Sequence, residues 1–346
     1  MAQKVTYNIV EYHRSNLATW DNFVDQSVNG NIFHKQKFLS YHSKNKFSFN
    51  HLLIYNNKNE LVSVIPGGIV NNNFVSPVGS SFGGILVTEK NTLSESLGII
   101  DAFIDYCSGK KYNSIEITLP PQIYNKLYNR NIEFALKCKE FDNSFSLYHS
   151  VIDLSKKYSL ETLSGNNRRK IRSAKKKGVK IRESDDFKSF YGILFEHNKK
   201  FRINTTPHNL DDLLNINSKL PGFLKLFLAY VDERPVGGTL LFLPNEKTAL
   251  NFYDAYLSNY GNMYLINALV FQSILWAQEN GYNFYDYGGN LDDELLEKYD
   301  NLVKKGADVN DLNPEIPYMT LVKFKESLGC LGEIRQTFEL NLFNVK

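Results

Sequence analysis

The feature that most constrains the fold lies between residues 248 and 290. TALNFYDAYL (248–257) has the aromatic and alternating character of a strand. GNMYLINALVFQSILWAQENG (261–281) reads as a helix closed by Gly281, and YNFYDYGGN (282–290) as a second strand running into a Gly-Gly loop. A helix of that length between two apolar strands makes a β-α-β unit, so the strands are expected side by side, parallel and joined by a right-handed crossover. The helix is apolar almost all round from Met263 to Ala277, which places it inside the protein. Both strands contain Phe-Tyr-Asp, at 252–254 and 284–286. In open α/β sheets, ligands gather beyond the carboxyl ends of parallel strands. There this unit brings Tyr253, Tyr285, Asp254, Asp286 and the Gly288-Gly289 pair.

The rest of the chain fits around that unit as an α/β protein with mixed sheets. HLLIY (51–55) and LVSVIPGGIV (61–70) are expected strands, and NNNFVSPVGSSFGGILV (71–87) reads as strand, loop and strand. LSESLGIIDAFIDYCSGK (93–110) has helical spacing, SIEITLPP (114–121) is a strand stopped by two prolines, and SFSLYHSVIDL (144–154) is another strand. FKSFYGILFEHNKKF and PHNLDDLLNINSKL are helices, and FLKLFLAYVDERPVGGTLLFL is a hairpin turning at 232–235. A length of 346 residues suits two domains, and the expected division is 1–152 and 153–346.

Composition excludes several classes. With 42% apolar residues the core needs no metal or disulfide staple, and a net charge of +3 is too balanced for a protein that coats nucleic acid. Cys107, Cys138 and Cys330 stand far apart, without metal-ligand spacing, as expected of a reducing compartment. The first residues lack a signal-peptide apolar run, and the most apolar stretch is too short to span a bilayer. The expectation is a cytoplasmic protein without an integral membrane segment.

One short stretch departs from this balance. SGNNRRKIRSAKKKG (164–178) carries seven positive side chains and no negative one. Ser164, Asn166 or Asn167 is the candidate N-cap and Gly178 the stop. On a helical wheel Ile171 and Ala174 share a narrow apolar side, leaving most of the charge facing outward. A solvated face is one reading. The other is a wall for phosphates, with Arg168, Arg169 and Arg172 in close contact, because the guanidinium fork donates two hydrogen bonds at once. Lys175 to Lys177 then supply long-range attraction.

The segments NNRRKIRSAKKKG (166–178), PVGGTLLF (235–242), YDAYLS (253–258), WAQENGY (276–282), YDYGGN (285–290) and FKESLG (324–329), in this order and spacing, resemble the FemAB-like transferases. NIFHKQKFL (31–39) and SFGG (81–84) match more weakly. The resemblance implies two tandem acetyltransferase-like (GNAT) domains, the first degenerate and on the acceptor side. It implies amide formation: an aminoacyl or acyl group moves onto an amine of an envelope precursor, peptidoglycan-type or surface sugar. The donor co-substrate is aminoacyl-tRNA, acyl-CoA or an acyl-carrier protein, and no cofactor is permanently bound. The turn SNYGNMYLINA holds one glycine, Gly261, where acetyltransferases that grip CoA have several. An acyl-CoA-dependent N-acyltransferase of an amino sugar or metabolite, and a non-catalytic RNA-binding module, are the alternatives.

Amide formation needs a neutral amine, and an amine with a pKa near 10 is only about 0.1% neutral at pH 7. Asp254, Asp286 and His208 are the candidate bases, each with a structural alternative as a capping or core group. On plain strand alternation Asp254 shares a face with Phe252 and Tyr256, which would raise its pKa by desolvation. Tyr253 and Tyr285 are candidate donors to the oxyanion. Ser81, Gly83 and Gly84 form a loop where backbone amides can approach an acceptor. Lys325, in the Phe-Lys pair near the C-terminus, is a candidate for a donor carboxylate or phosphate. No nucleophile elbow, phosphate-binding P-loop, zinc motif or Rossmann fingerprint occurs, which favours direct transfer over a covalent enzyme intermediate.

Overall fold

The computed structural model describes residues 6–43, 45–203, 206–292 and 317–344, together with 295, 297, 298, 301 and 304. The chain divides into two compact units, 1–146 with 334–346, and 147–333.

The first unit opens with β1 (Tyr7–Glu11), α1 (Leu17–Gln26) and the short α2 (Gln36–Leu39). Then come β2 (Leu52–Asn56), β3 (Leu61–Ile65), β4 (Gly68–Val70) and β5 (Asn73–Ser76). LVSVIPGGIV is therefore two strands, not one, because Pro66 has no N–H for a ladder. Residues 85–88 make only isolated bridges. α3 (Leu93–Gly109) starts at a capping box in which Thr92 accepts from the Glu95 amide and Glu95 reaches back to the Thr92 amide. β6 (Ser114–Thr118) and α4 (Asn131–Cys138) follow. β1–β2–β3 form one sheet, and β5 and β6 pair in parallel around α3. The core between them holds Phe74, Phe103, Ile115, Ile117 and Phe338.

β7 (Asp142–Asp153) carries the chain into the second unit, so the expected division at 152/153 falls within this strand's end. α5 (Gly165–Lys176), β8 (Lys180–Ser184), α6 (Phe187–Phe201) and α7 (Leu210–Lys219) precede the hairpin β9 (Leu224–Val231) and β10 (Arg234–Phe242). β11 (Thr248–Tyr256), α8 (Leu265–Glu279), β12 (Phe284–Asp292) and α9 (Pro317–Ser327) complete it. The strands run in the order β7-β12-β11-β10-β9-β8. α8 sits inside as its composition requires, packed with Tyr285, Leu241 and Ala249.

β13 (Leu331–Asn341) is not among the strands expected from the sequence. Its later part pairs antiparallel with β6, Thr337 opposite Thr118 through Asn341 opposite Ser114. Residues 334–346 thus belong to the first unit, whereas the expected division puts them in the second. No helix among the described residues is long and apolar enough to cross a membrane. The three cysteines are free, and no cluster of metal-ligating side chains occurs among the described residues.

Candidate active site

β11 and β12 are parallel, as the β-α-β reading requires, and they pair at three positions only: Thr248–Phe284, Ala249–Tyr285 and Leu250–Asp286. Beyond these, β11 continues against β10 to Tyr256, while β12 continues against β7 to Asp292. The two strands therefore part at Leu250 and Asp286, and the residues that follow line the parting.

On the β11 side the lining is set by a bulge. Leu240 opposes Tyr253 but Leu241 opposes Asn251, so Phe252 is the extra residue. The bulge resets the alternation. Asn251, not Phe252, shares a face with Asp254, and its amide donates to both Asp254 oxygens at 3.2 Å. Phe252 turns with Tyr253 toward His208, which corrects the expected Phe252–Asp254 face. Asp254 also accepts from Thr239 Oγ1 at 2.6 Å and from the Tyr287 hydroxyl at 2.6 Å. Burial pushes its pKa up, against the pull of these three donors and of Lys325. Thr239 is the cross-strand partner of Asp254.

Tyr285 is fully buried, its hydroxyl 2.7 Å from Ser273 Oγ and accepting from Asn251 at 3.0 Å. It holds Asn251 from behind. On the β12 side Asp286 is also fully buried. Its carboxylate accepts from the Gly288 amide at 2.8 Å and lies 3.0 Å from His149 Nδ1. Lys325 comes from α9. Its ammonium donates to the carbonyls of Tyr287 and Gly288, and it stands 4.5 Å from the centre of the Tyr287 ring. Desolvation lowers its pKa to about 8, opposed by the charges of Asp286 and Asp254. Asn251, Asp254, Tyr285 and Tyr287 are thus hydrogen-bonded into one set and Asp286 and His149 into another, with Lys325 held by the Tyr287 and Gly288 carbonyls.

Not every candidate joins these sets. The Tyr253 hydroxyl bonds to His208 Nδ1 at 2.8 Å, and His208 is buried among Phe242, Phe252 and Tyr253. This pair packs away from the Asp254 carboxylate. In the first unit, Gly83 N donates to Thr118 O and Gly84 N to Ser76 Oγ, so both amides serve the fold itself. Ser81 is half-buried on the same loop.

The cationic helix α5 has Ser164 as its N-cap and docks through Ala174 and the partly buried Ile171. It also docks through Asn167, which donates to Ser327 and accepts from Asn267. Arg168 donates to the Glu161 carbonyl and Arg169 to Asn166, while Arg172 is exposed. Lys177 binds the Asn262 carbonyl and lies over the Tyr264 ring. Among the described residues none of the seven charges forms an ion pair.

Asn251, Tyr287, Thr239 and His149 are not among the candidates the sequence supplies. Tyr287 was accessible to it, two residues after Tyr285 and so on the same face. The others become visible only through the bulge and the pairing of distant strands.

No family model matches this sequence, and no curated protein sequence matches it either. Solved structures do match. FemX aligns with a TM-score of 0.67 at 14% identity, covering 96% of this chain and 97% of that one. The structure of L-PGS from Bacillus licheniformis aligns at 0.57 and 14% identity, over 94% of this chain and 91% of that one. A tandem GNAT protein from the clavulanic acid biosynthesis pathway aligns at 0.52 and 8% identity, over 98% and 100%. The chain has the FemX-type fold of two GNAT-like domains. In that fold the β11–β12 parting lies in the second GNAT-like domain, and the β5–β6 pair in the first.

Proposed function

We propose that the protein is a transferase that moves an aminoacyl or acyl group from an activated ester or thioester onto an amine of a cell-envelope precursor, of peptidoglycan or surface-sugar type. The observation that carries this reading is the parting of β11 and β12 with a desolvated ammonium, Lys325, set into it. The FemAB-like resemblance of the sequence, with FemX among the structures of similar fold, makes aminoacyl-tRNA the first donor to test, ahead of acyl-CoA or an acyl-carrier protein.

In this reading the acyl carbonyl lies in the parting. Lys325 faces the charge that develops on the carbonyl oxygen, where a water-poor setting strengthens the attraction. Asp254, saturated by Thr239, Asn251 and Tyr287, fixes the wall of the slot and holds in place the residue, Tyr287, whose carbonyl orients Lys325. The guanidinium groups of α5 receive phosphates of the donor or of a diphosphate-linked acceptor. Holding both reactants in one slot supplies much of the rate without a covalent enzyme intermediate.

Isothermal titration with CoA, charged tRNA and uncharged tRNA, followed by mass spectrometry of mixtures with amine-bearing envelope precursors, tests this. Tight binding of one donor and a product heavier by one acyl group are the expected results. Binding of RNA regardless of charging, with no product, would favour a non-catalytic role.

A further inference from the structure

Strand β7 brings to the parting a group that the proposed transfer leaves unused. His149 is 3% exposed, and its Nδ1 lies 3.0 and 3.2 Å from the two Asp286 oxygens. An acceptor-only carboxylate at that nitrogen fixes the proton on Nδ1, so Nε2 carries the lone pair. Nε2 is buried and has no hydrogen-bond partner among the described residues. A buried polar atom left unsatisfied is rare in folded proteins and calls for a reason.

The surroundings of Nε2 supply one. It lies near Gly289, an exposed residue, where an added Cβ would stand 3.3 Å from Nε2 and 2.3 Å from the Leu147 side chain. The β12–β7 ladder shifts register on both sides of Gly289, between Asp286 and Gly289 and again between Gly289 and Leu291. Gly288, beside it, has a φ of 76°. An imidazole lone pair thus lies near an irregular Gly-Gly stretch of β12, the strand that separates from β11. Lys325 of α9 and Cys330 beyond it are among the ionisable groups that feel the charge of Asp286.

We propose that His149 is the proton acceptor for the incoming amine and that Asp286 is its positioning residue, an inference that rests on the acyl-transfer reading. Nε2 takes one proton from the incoming ammonium, and the lone pair so freed forms a C–N bond to the donor carbonyl carbon. The second proton that the nitrogen sheds on becoming an amide passes to bulk water. The C–O bond of an ester donor, or the C–S bond of a thioester, breaks. The leaving oxygen or sulfur takes the proton back from the imidazolium, which Asp286 has stabilised meanwhile. This accounts for why Asp286, a base candidate by sequence, is sealed from solvent: it acts through His149.

The test compares two acceptors with the full-length chain, using alanyl-tRNA or acetyl-CoA as donor. Nα-acetyl-lysine presents an amine that is almost wholly protonated at pH 7, whereas hydroxylamine is already largely neutral. His149→Gln is expected to slow transfer to Nα-acetyl-lysine about 10²–10⁴-fold, and transfer to hydroxylamine far less. Asp286→Asn should move both readouts the same way. Equal loss with both acceptors, or no loss at all, overturns the proposal while leaving the transferase reading intact. A wild-type chain that uses neither acceptor with either donor removes that reading and the inference with it. If His149→Gln does not fold, His149→Asn serves instead, with the same split between the two acceptors expected. Equal loss with both acceptors in that variant contradicts the proposal.

Discussion

Each unit builds a parallel strand pair around a helix: β5–α3–β6 in the first and β11–α8–β12 in the second. In the first, the loop after β5 folds back over the end of the pair. Gly83 N bonds to Thr118 O, Gly84 N bonds to Ser76 Oγ, and a Cβ on Gly83 would stand 2.4 Å from the Ser76 backbone. Buried His34 closes on the Gly83 carbonyl at 3.0 Å. In the second, the corresponding place holds two carboxylates, an ammonium and an imidazole. One topology makes both strand pairs. What lies at their ends differs, and on the proposed reading the desolvated charge in the second is kept for use.

The comparison yields a series of tests. The largest effect belongs to Lys325→Gln, expected to slow acyl transfer about 10²–10³-fold with the fold retained by circular dichroism. A variant as active as the wild type would empty the β11–β12 parting of its role. Gly83→Ala should do the opposite. Overpacking against the Ser76 backbone costs about 1–3 kcal/mol of stability, read by urea unfolding, while turnover per folded molecule holds. Loss of turnover in a stable Gly83→Ala protein would make the two strand pairs equivalent.

The lowered pKa of Lys325 gives a pH signature. Between about 8 and the ordinary value of 10.5 the unfolded chain binds the proton and the folded chain does not. Wild-type stability relative to Lys325→Met therefore rises with pH across that window and is lost as pH falls through 8. The change is at most about 3 kcal/mol. A flat difference in urea midpoints from pH 7 to 10.5 would show that Lys325 is well solvated. Reversing Arg168 and Arg172 to glutamate should weaken tRNA or diphosphate binding and flatten its salt dependence, by a slope of about one for each phosphate no longer neutralised. An unchanged titration would return α5 to a solvated face. The smallest effect is Tyr287→Phe, which removes one donor from Asp254 and should cost about 1 kcal/mol of stability.

Much of the second unit was legible because its signals are local. The repeated Phe-Tyr-Asp and the apolar helix between its copies pointed to the parallel pair, and Ser164 and Gly178 framed α5. The site was legible only in part. One extra residue at Phe252 reverses which side chain faces Asp254, and nothing in the alternation of TALNFYDAY marks where a bulge falls. His149 sits mid-strand, 137 residues from Asp286, so its pairing depends on strand order, which sequence periodicity does not carry. β13 returns to the first unit for the same reason: its partner β6 lies more than two hundred residues earlier. Gly83 and Gly84 read as an open loop from composition, and only the fold shows that their amides are already taken.

The central claim is that chemistry happens at the second strand pair and not at the first. A crystal structure of the chain with a non-hydrolysable aminoacyl-tRNA mimic or acyl-CoA analogue tests it directly. The account predicts density for the acyl carbonyl between Asp254 and Asp286, within hydrogen-bond reach of Lys325. Density seated on the Ser81–Gly84 loop of the first unit, with the β11–β12 parting unchanged, would contradict it.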